Sequence, residues 1–446
     1  MFYFMIFVFI LGYAIIAMEQ PLRINKSATA LILAVLMWVL FALGGEQILV
    51  DPTYFQEFML RNAAGSFTEW ISQNALPEHL GAISEIIFFL LGAMTIVELI
   101  DSHEGFRIIT DKITTTNKVK LLWVISIITF FLSAVLDNLT TAIVMMALLR
   151  KLIRDKEERW FLAGMVIIAA NSGGAFSPIG DVTTIMLWIG GHVTTLNIIL
   201  KTFIPSALSM VIPLALLSIR LKGEIRKPIT SHLNDGFSTT RTEQNIVFFL
   251  GLGLLVFIPF FKTLTGLPPF MGILFALGIL WVVTEIMHKQ KNDAHRPMVT
   301  VAGVIRRVDT PSILFFLGIL LAVAALQSAG HLVLLAGLLD KQVGNLYMIN
   351  FIIGILSSVV DNVPLVAGAI GMYGNKFPVD HYFWEMLAYC AGTGGSILII
   401  GSAAGVAVMG MEKIDFIWYL RKISVWALIG YVGGAVSYWV MNGWWK

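Results

Sequence analysis

Long apolar segments recur along this 446-residue chain and are separated by short polar stretches. About 20 apolar residues carry a helix across a bilayer, so each long segment predicts a membrane-spanning helix. Two further apolar runs, residues 121–150 and 346–373, differ because each carries an Asp-Asn pair in its middle. The predicted spanning helices lie near residues 1–18, 28–43, 82–100, 160–191, 196–219, 245–262, 269–287, 312–329, 383–410 and 424–441.

The composition also predicts a helical membrane protein. The chain is 57% hydrophobic and only 13% charged, whereas a soluble domain carries about 25% charged residues. A membrane β-barrel would instead show short segments of alternating polarity. Residues 1–18 lack a basic start and a small-residue cleavage site, so we interpret them as a first spanning helix and not as a cleaved signal. The predicted fold class is an all-α polytopic membrane protein.

The basic loops predict the orientation of the chain. Lys and Arg concentrate in cytoplasmic loops, and residues 101–120 and 150–159 are both strongly basic. The segment between them should then enter and leave the membrane on the same side, as a re-entrant hairpin with Asp137-Asn138 at its tip. Such a tip is tolerated only where protein or a wet cavity covers it. On this interpretation the two arms, 121–136 and 138–149, are each shorter than a full span.

The second half of the chain repeats this plan. Residues 346–373 predict a second hairpin with Asp361-Asn362 at its tip, entering from the opposite side. Each hairpin is followed by an apolar helix with a glycine- and hydroxyl-rich break. The helices are 160–191, broken at 171–181, and 383–410, broken at 392–402.

Matched interruptions in the two halves of a membrane chain are typical of transporters that consist of inverted repeats, with the binding site at the interruptions. The predicted organisation is a first inverted repeat over residues 1–219, a cytoplasmic linker over 220–244 and a second inverted repeat over 245–446. The topology near residues 330–345 is the least regular part of the pattern.

Three carboxylates at these interruptions indicate a site: Asp137, Asp181 and Asp361. A charged carboxylate inside a membrane costs at least a few kcal/mol, so each needs a partner or a function. One alternative is that each Asp caps a helix end. Carboxylate, amide and hydroxyl oxygens together suit a small hard cation. Burial also favours the protonated carboxyl, so such a site can exchange a cation for a proton.

Three acidic residues near a predicted membrane edge, Glu85, Glu98 and Asp101, could form a proton path, although an interfacial position in water explains them equally well. The sequence has no nucleotide-binding loop, no His/Cys metal cluster and no Ser-His nucleophile pairing. We therefore predict no cofactor, no nucleic-acid partner and no enzymatic activity. The histidines in loops or at helix ends are predicted to be solvated: His192, His232, His288, His295 and His381.

The two Asp-Asn hairpins, residues 171–181 and residues 94–103 together resemble the NhaD-type sodium/proton antiporters. These antiporters belong to the ion transporter superfamily, together with arsenite permeases and dicarboxylate and citrate carriers. Relatives that carry organic acids have Ser-Asn-Thr at the hairpin tips. The resemblance implies two inverted repeats, a scaffold domain and a transport domain that moves as an elevator, and a homodimer. It also implies export of Na⁺, and in many members Li⁺, in exchange for H⁺.

By motif, the resemblance assigns ion and proton binding to both halves, and Na⁺ itself to the two Asp-Asn pairs and Asp181. The second break has Ser402 where the first has Asp181, so the half-sites are unequal. The residues implied are Asp137, Asn138, Asn171, Ser172, Asp181, Thr183 and Thr184 in the first half, and Ser357, Asp361, Asn362, Thr393 and Ser396 in the second.

The sequence thus predicts a secondary Na⁺/H⁺ antiporter of a bacterial-type inner membrane, in contact with lipid. One alternative is an anion carrier of the same fold, for a dicarboxylate or arsenite. Acidic tips and the lack of a basic residue in either motif disfavour it. A second alternative is an intramembrane aspartyl protease that uses Asp137 and Asp361. It leaves the repeat of hairpin and break unexplained.

Overall fold

The computed structural model describes residues 1–62, 65–113, 115–225, 239–289 and 299–443. These residues are mostly α-helical, and no β-strand occurs among them. The helices of the first half are α1 (Phe2–Ala17), α2 (Glu19–Leu22), α3 (Lys26–Gly44), α4 (Thr53–Arg61), α5 (Phe67–Trp70), α6 (Leu76–Ser102), α7 (Arg107–Thr110), α8 (Lys118–Leu136), α9 (Asn138–Leu152), α10 (Lys156–Ala175), α11 (Val182–Ile189) and α12 (Thr195–Arg220).

The second half of the chain is also α-helical. Its helices are α13 (Arg241–Thr265), α14 (Pro269–Met287), α15 (Val301–Val304), α16 (Thr310–Ser328), α17 (His331–Gln342), α18 (Leu346–Ser357), α19 (Asn362–Tyr373), α20 (Tyr382–Gly394), α21 (Ala403–Glu412), α22 (Phe416–Lys422) and α23 (Ser424–Gly443). Among the described residues, eight helices are long and apolar enough to cross a membrane, or up to nine if helices that bend at a short break count as one span. The prediction of a multi-pass helical protein is confirmed.

The first Asp-Asn pair lies where two packed helices meet. α8 ends at Leu136, and α9 begins at Asn138 and packs against α8. The predicted arm lengths are wrong for α8: it begins at Lys118, where the Asn117 side chain accepts from the Lys120 N–H, and its 19 residues suffice for a span. That this hairpin enters and leaves the membrane on the same side is therefore supported by the basic loops alone and stays a prediction.

Helix breaks occur within both predicted stretches. α10 ends at Ala175, and α11 begins at Val182 with Asp181 as its N-cap. α20 ends at Gly394, and α21 begins at Ala403 with Ser402 as its N-cap. Each cap oxygen accepts a backbone N–H that the new helix cannot satisfy itself. The breaks therefore leave polar side chains and backbone groups in an otherwise apolar region.

The two breaks are packed by matching contacts. The Ser133 hydroxyl donates to the Ala170 carbonyl at 2.6 Å, and the Ser357 hydroxyl, at the equivalent position, donates to the Ala391 carbonyl at 2.8 Å. A Cβ at Gly173 would overlap the Phe130 carbonyl, and a Cβ at the equivalent Gly394 would overlap the Gly354 carbonyl. Each break thus has a serine hydrogen bond and a glycine that lets two backbones approach closely.

The chain divides into two compact units, and each contains segments from both halves. The first unit comprises Met1–Ile87, Asp309–Ile349 and Val363–Pro378. Within it, α3 packs along α16. The Ser27 hydroxyl donates to the Pro311 carbonyl at 2.6 Å, and Trp38 Nε1 donates to the Leu321 carbonyl at 3.0 Å. The division into residues 1–219 and 245–446 stays a prediction.

The second unit comprises Phe88–Val308, Asn350–Asn362 and Val379–Lys446. Its centre is α10, which packs against α8, α9, α12, α20 and α21. Helix α10 is buried from Leu162 to Ala175. Asp137, Asp181 and Asp361 all belong to this unit, so the candidate site can be described within it.

The prediction of solvated histidines is wrong for His288. Its side chain is fully buried at the end of α14, and its Nε2 lies 2.7 Å from Nε2 of the equally buried His103. The sequence that flanks His288 did not indicate that two helix ends meet at this histidine pair. His192 and His381 are half-buried, while His232 and His295 lie outside the described residues.

Candidate functional site

Asp181 is the centre of a buried polar network. Its side chain is 1% exposed, and Oδ1 accepts from the Thr183 backbone N–H at 2.9 Å and the Thr183 hydroxyl at 2.8 Å. Oδ2 accepts from Asn138 Nδ2 at 2.6 Å. Asn362 Nδ2 lies 3.3 and 3.4 Å from the two oxygens. One carboxylate therefore contacts an amide from each Asp-Asn pair.

Asn171 extends this network to the second break. Its Oδ1 accepts from Asn138 Nδ2 at 3.1 Å, and its Nδ2 donates to the Ser396 and Ser402 hydroxyls at 2.9 Å each. Asn171 is fully buried, and Ser396 and Ser402 are 2% and 1% exposed. Asn171 and Asp181 together bring residues from both halves of the chain within one hydrogen-bonded cluster.

The amides in this cluster act as donors toward Asp181. An ionised carboxylate only accepts hydrogen bonds, so Asn138 and Asn362 turn their Nδ2 groups toward it. The same amides can offer Oδ1 to a cation after rotation about the last side-chain bond. A cation bound here would therefore compete with the amide N–H groups for the Asp181 oxygens.

The other two carboxylates lie beside this cluster. Asp137 is half-buried, and its oxygens accept from the Thr140 backbone N–H at 2.7 Å and the Thr140 hydroxyl at 2.8 Å, which caps α9. The charge of Asp181 interacts with that of Asp137 and with that of the half-buried Asp361. Both aspartates contribute negative potential near Asp181, and Asp137 also has the predicted capping role.

The backbone at Asp137 is strained. Its φ is 109°, a region that residues other than glycine rarely adopt. Such conformations cost about 1–3 kcal/mol and tend to occur at functional sites. This conformation allows the tip to reverse direction while Asp137 caps α9 and Asn138 reaches Asp181.

Several predicted hydroxyls bind elsewhere. The hydrogen bonds are Thr184 Oγ1 to the Asp181 carbonyl at 2.8 Å, Ser357 Oγ to the Ala391 carbonyl at 2.8 Å, Thr393 Oγ1 to the Tyr389 carbonyl at 2.6 Å, and Ser172 Oγ with Ser209 Oγ at 2.7 Å.

The predicted proton path lies on α6. Glu98 is half-buried and Asp101 is exposed. No hydrogen bond between described residues joins either side chain to the Asp181 network. The path from Glu98 and Asp101 stays a prediction.

One residue of the network and one residue that packs the first break were absent from the predicted set. Ser402 contacts Asn171, and Ser133 holds the first hairpin against α10. The sequence held a signal for both, since Ser402 occupies the position of Asp181 in the other break and Ser133 that of Ser357. Among the described residues, no group of three or more His, Cys, Asp or Glu side chains could hold a metal ion.

Membrane-spanning helices with buried polar groups at matched helix breaks define the class of polytopic membrane transporters. The family described as citrate transporter matches residues 13–392. The chain therefore belongs to this family and groups within it with the NhaD-type sodium/proton antiporters.

Three relatives support that grouping. Sodium/proton antiporter 1 of Arabidopsis thaliana is 47% identical over 97% of this chain and 71% of the relative. Sodium/proton antiporter 2 of the same plant is 45% identical over 97% of this chain and 98% of the relative. The Na(+)/H(+) antiporter NhaD of Vibrio cholerae is 29% identical over 98% of this chain and 91% of the relative.

Proposed function

We propose that the protein exchanges Na⁺ for H⁺ by alternating access, with Asp181 as the group that the two ions share. The observation that carries this proposal is the contact of one buried carboxylate with the amides of both Asp-Asn pairs, Asn138 and Asn362. The names of the relatives, which are sodium/proton antiporters, support the choice of ions.

Exchange follows from exclusive occupancy of this carboxylate. When Na⁺ binds, Asn138 and Asn362 rotate their Oδ1 atoms toward it. The Ser396 and Ser402 hydroxyls are connected to this site through Asn171, whose Nδ2 donates to both. When a proton binds, Asp181 loses its charge and with it most of the attraction for the cation. The site then returns with a proton in place of Na⁺.

The movement that exposes this site to each side belongs to the same proposal. Matched contacts at the two breaks support two inverted repeats over residues 1–219 and 245–446. We assign the second compact unit, which holds all three aspartates, to the transport domain and the first to the scaffold of a homodimer. A bacterial-type cytoplasmic membrane, with bound lipid and with Li⁺ as a second cation, completes the proposal.

Proteoliposomes containing the purified protein test the function. Na⁺ or Li⁺ should drive proton movement, while K⁺ should not. Asp181→Asn should insert and fold but lose exchange, because Asn keeps the shape without charge or titration. The matched control is Asp415→Asn, which also replaces an N-cap aspartate (2.8 Å to the Trp418 N–H) and should exchange normally.

Competition also predicts a pH effect on binding. The apparent Na⁺ affinity should fall as the pH is lowered, because protonation of Asp181 removes the charge that attracts the ion. Wild-type exchange by Asp181→Asn, or an affinity that does not change with pH, would contradict the shared site.

A carrier of organic anions is the second candidate, because the matching family is described as citrate transporter. An anion would require donors or basic groups, whereas Asp181 presents a negative charge. Citrate-driven current or uptake in the same proteoliposomes, without any Na⁺-driven proton movement, would favour this candidate.

A further inference from the structure

A second buried carboxylate, Glu412, lies at the far end of α21 from the break. Its side chain is only 2% exposed and accepts from Arg150 Nε at 2.5 Å and from Arg159 Nε at 2.7 Å. The same arginines bind backbone: Arg150 donates to the Met411 carbonyl, and Arg159 donates to the Ile153 carbonyl at 3.1 Å. Trp160 Nε1 adds a bond to the Glu412 carbonyl at 3.1 Å.

These residues join the ends of three helices. Arg150 lies near the end of α9, Arg159 near the start of α10, and Glu412 at the end of α21. The opposite ends of the same three helices meet at the candidate site. There, Asn171 of α10 accepts from Asn138 of α9 and donates to Ser402, the N-cap of α21. The three helices are thus tied at both ends.

A related tie occurs at the other end of the second unit. Asp380, which stands at the position equivalent to Arg159, accepts from the Thr194 backbone N–H at 2.6 Å and from its hydroxyl at 2.8 Å. The Asp380 N–H donates to the His192 carbonyl at 2.9 Å. In this way the start of α20 is tied to the residues that follow α11. Each tie connects one half of the chain with the other.

We propose that Glu412 is a positioning residue for the cation site, acting through α21 and α9 on Ser402 and Asn138. This inference rests on the proposed function, since it assigns Glu412 a role in cation affinity. Ion sites require their ligands within about 0.5 Å of the productive geometry. Ten residues of helix separate Ser402 from Glu412, about 15 Å, so a rigid helix transmits a displacement of one end to the other.

Glu412→Gln tests this role. Gln offers one oxygen acceptor, and its NH₂ group faces a guanidinium donor, so one of the two ties is lost. We expect the KM for Na⁺ to rise about tenfold while the maximal rate changes little. Glu412→Asp keeps the charge on a shorter side chain and should give a rise of about threefold. If Glu412→Gln does not insert, Arg159→Lys provides the same measurement with the charge retained.

A matched control comes from a neighbouring ion pair. Lys118 and Glu158 lie 2.6 Å apart with side chains 24% and 31% exposed. Ion pairs that solvent reaches contribute little, so Glu158→Gln should leave the KM for Na⁺ unchanged although it removes a charge next to Arg159.

A double-mutant cycle separates positioning from general stability. Independent sites more than about 10 Å apart contribute additively. If Glu412 acts by placing Ser402, then Ser402→Ala should raise the KM much less in the Glu412→Gln background than in the wild type. Additive effects, or a wild-type KM in Glu412→Gln or Arg159→Lys, would overturn the proposal.

Hydrogen exchange tests the tie independently of transport. The Gly405 N–H donates to Ser402 Oγ at 3.2 Å at the start of α21. Without Na⁺, this amide should exchange faster in Glu412→Gln than in the wild type or Glu158→Gln. An unchanged exchange rate would overturn the tie whatever ion is carried. If the wild-type protein did not transport Na⁺ in exchange for H⁺, this would instead refute the proposed function.

Discussion

The two helix breaks share their packing and differ in their charge. Ser133 and Ser357 hold equivalent carbonyls at 2.6 and 2.8 Å. Gly173 and Gly394 allow equivalent close approaches of two backbones. The caps differ, because Asp181 begins α11 and Ser402 begins α21. The shared contacts keep each break close to its hairpin, whereas only the first break has a carboxylate as its cap.

This difference separates structure from chemistry. A serine caps a helix about as well as an aspartate, so capping does not require the carboxylate at Asp181. The amides of Asn138 and Asn362 both turn toward Asp181, while Ser402 contacts Asn171. The two breaks thus share their packing, but only the first has a charged cap. This makes the first break the stronger candidate for the ion.

Exchange of the two caps should produce the largest effect. Asp181→Ser combined with Ser402→Asp keeps both caps and the net charge but moves the carboxylate away from Asn138. We expect Na⁺-driven proton flux in proteoliposomes to fall by about 100-fold, as a loss of about 2.7 kcal/mol in binding would give. Asp181→Ser alone, which keeps Ser402, is the reference for the double variant.

Recovery of flux in the double variant, relative to Asp181→Ser alone, would contradict a single charged centre. It would mean that either break can hold the ion.

Substitution of the two glycines should lower the stability of the protein, by a similar amount at each position. Gly173→Ala and Gly394→Ala each place a Cβ against a backbone carbonyl, so the two backbones must separate. Overpacking of this kind costs about 1–3 kcal/mol. Both variants should unfold at lower temperature in detergent, by similar amounts. The control is Gly278→Ala, where a Cβ would meet nothing within 4 Å. A large loss in only one of the two would show that the breaks do not share their packing.

The positions of the helix breaks and of the polar residues around them could be predicted because the sequence signals are local and repeated. The Asp-Asn pairs and the glycine-rich breaks recur in both halves, and polar groups inside an apolar run are conspicuous. The breaks lie inside the predicted stretches, with Asp181 and Ser402 at matching caps. Repetition therefore located the cluster without any knowledge of which side chains touch.

Contacts that depend on backbone conformation or on distant segments were not predictable. Asp137, whose φ is 109°, accepts from the Thr140 N–H, and it is Asn138 Nδ2 that contacts Asp181. The Glu412 tie joins residues 262 positions apart in the sequence. No pattern along one helix reveals such a pair.

Acid should weaken the Glu412 tie. Burial opposes ionisation, but the hydrogen bonds and charges of Arg150 and Arg159 outweigh it and hold the pKa of Glu412 below its ordinary value of 4.5. Its stabilising contribution is then fully present above pH 4.5 and is lost as the pH falls through the lower folded-state value. Glu412 lies beyond the predicted span, which ends at residue 410.

We therefore expect Glu412→Gln to lower the free energy of unfolding by about 1.5 kcal/mol at neutral pH, as for a hydrogen bond to a charged group. Thermal unfolding in detergent at a series of pH values should show this deficit shrinking below pH 4.5. A deficit that stays constant into acid would contradict an ionised Glu412.

The smallest effect belongs to the paired serines. Ser133→Ala and Ser357→Ala each remove one buried hydrogen bond to a helix carbonyl, which contributes about 1 kcal/mol. Because the two bonds are equivalent, both variants should lose similar stability in thermal unfolding and keep most of their exchange activity. Ser84→Ala is the control, since that hydroxyl only bonds the Leu80 carbonyl of its own exposed helix turn at 2.6 Å. If Ser133→Ala abolished exchange while Ser357→Ala did not, Ser133 would belong to the ion site and not to the packing that the two breaks share.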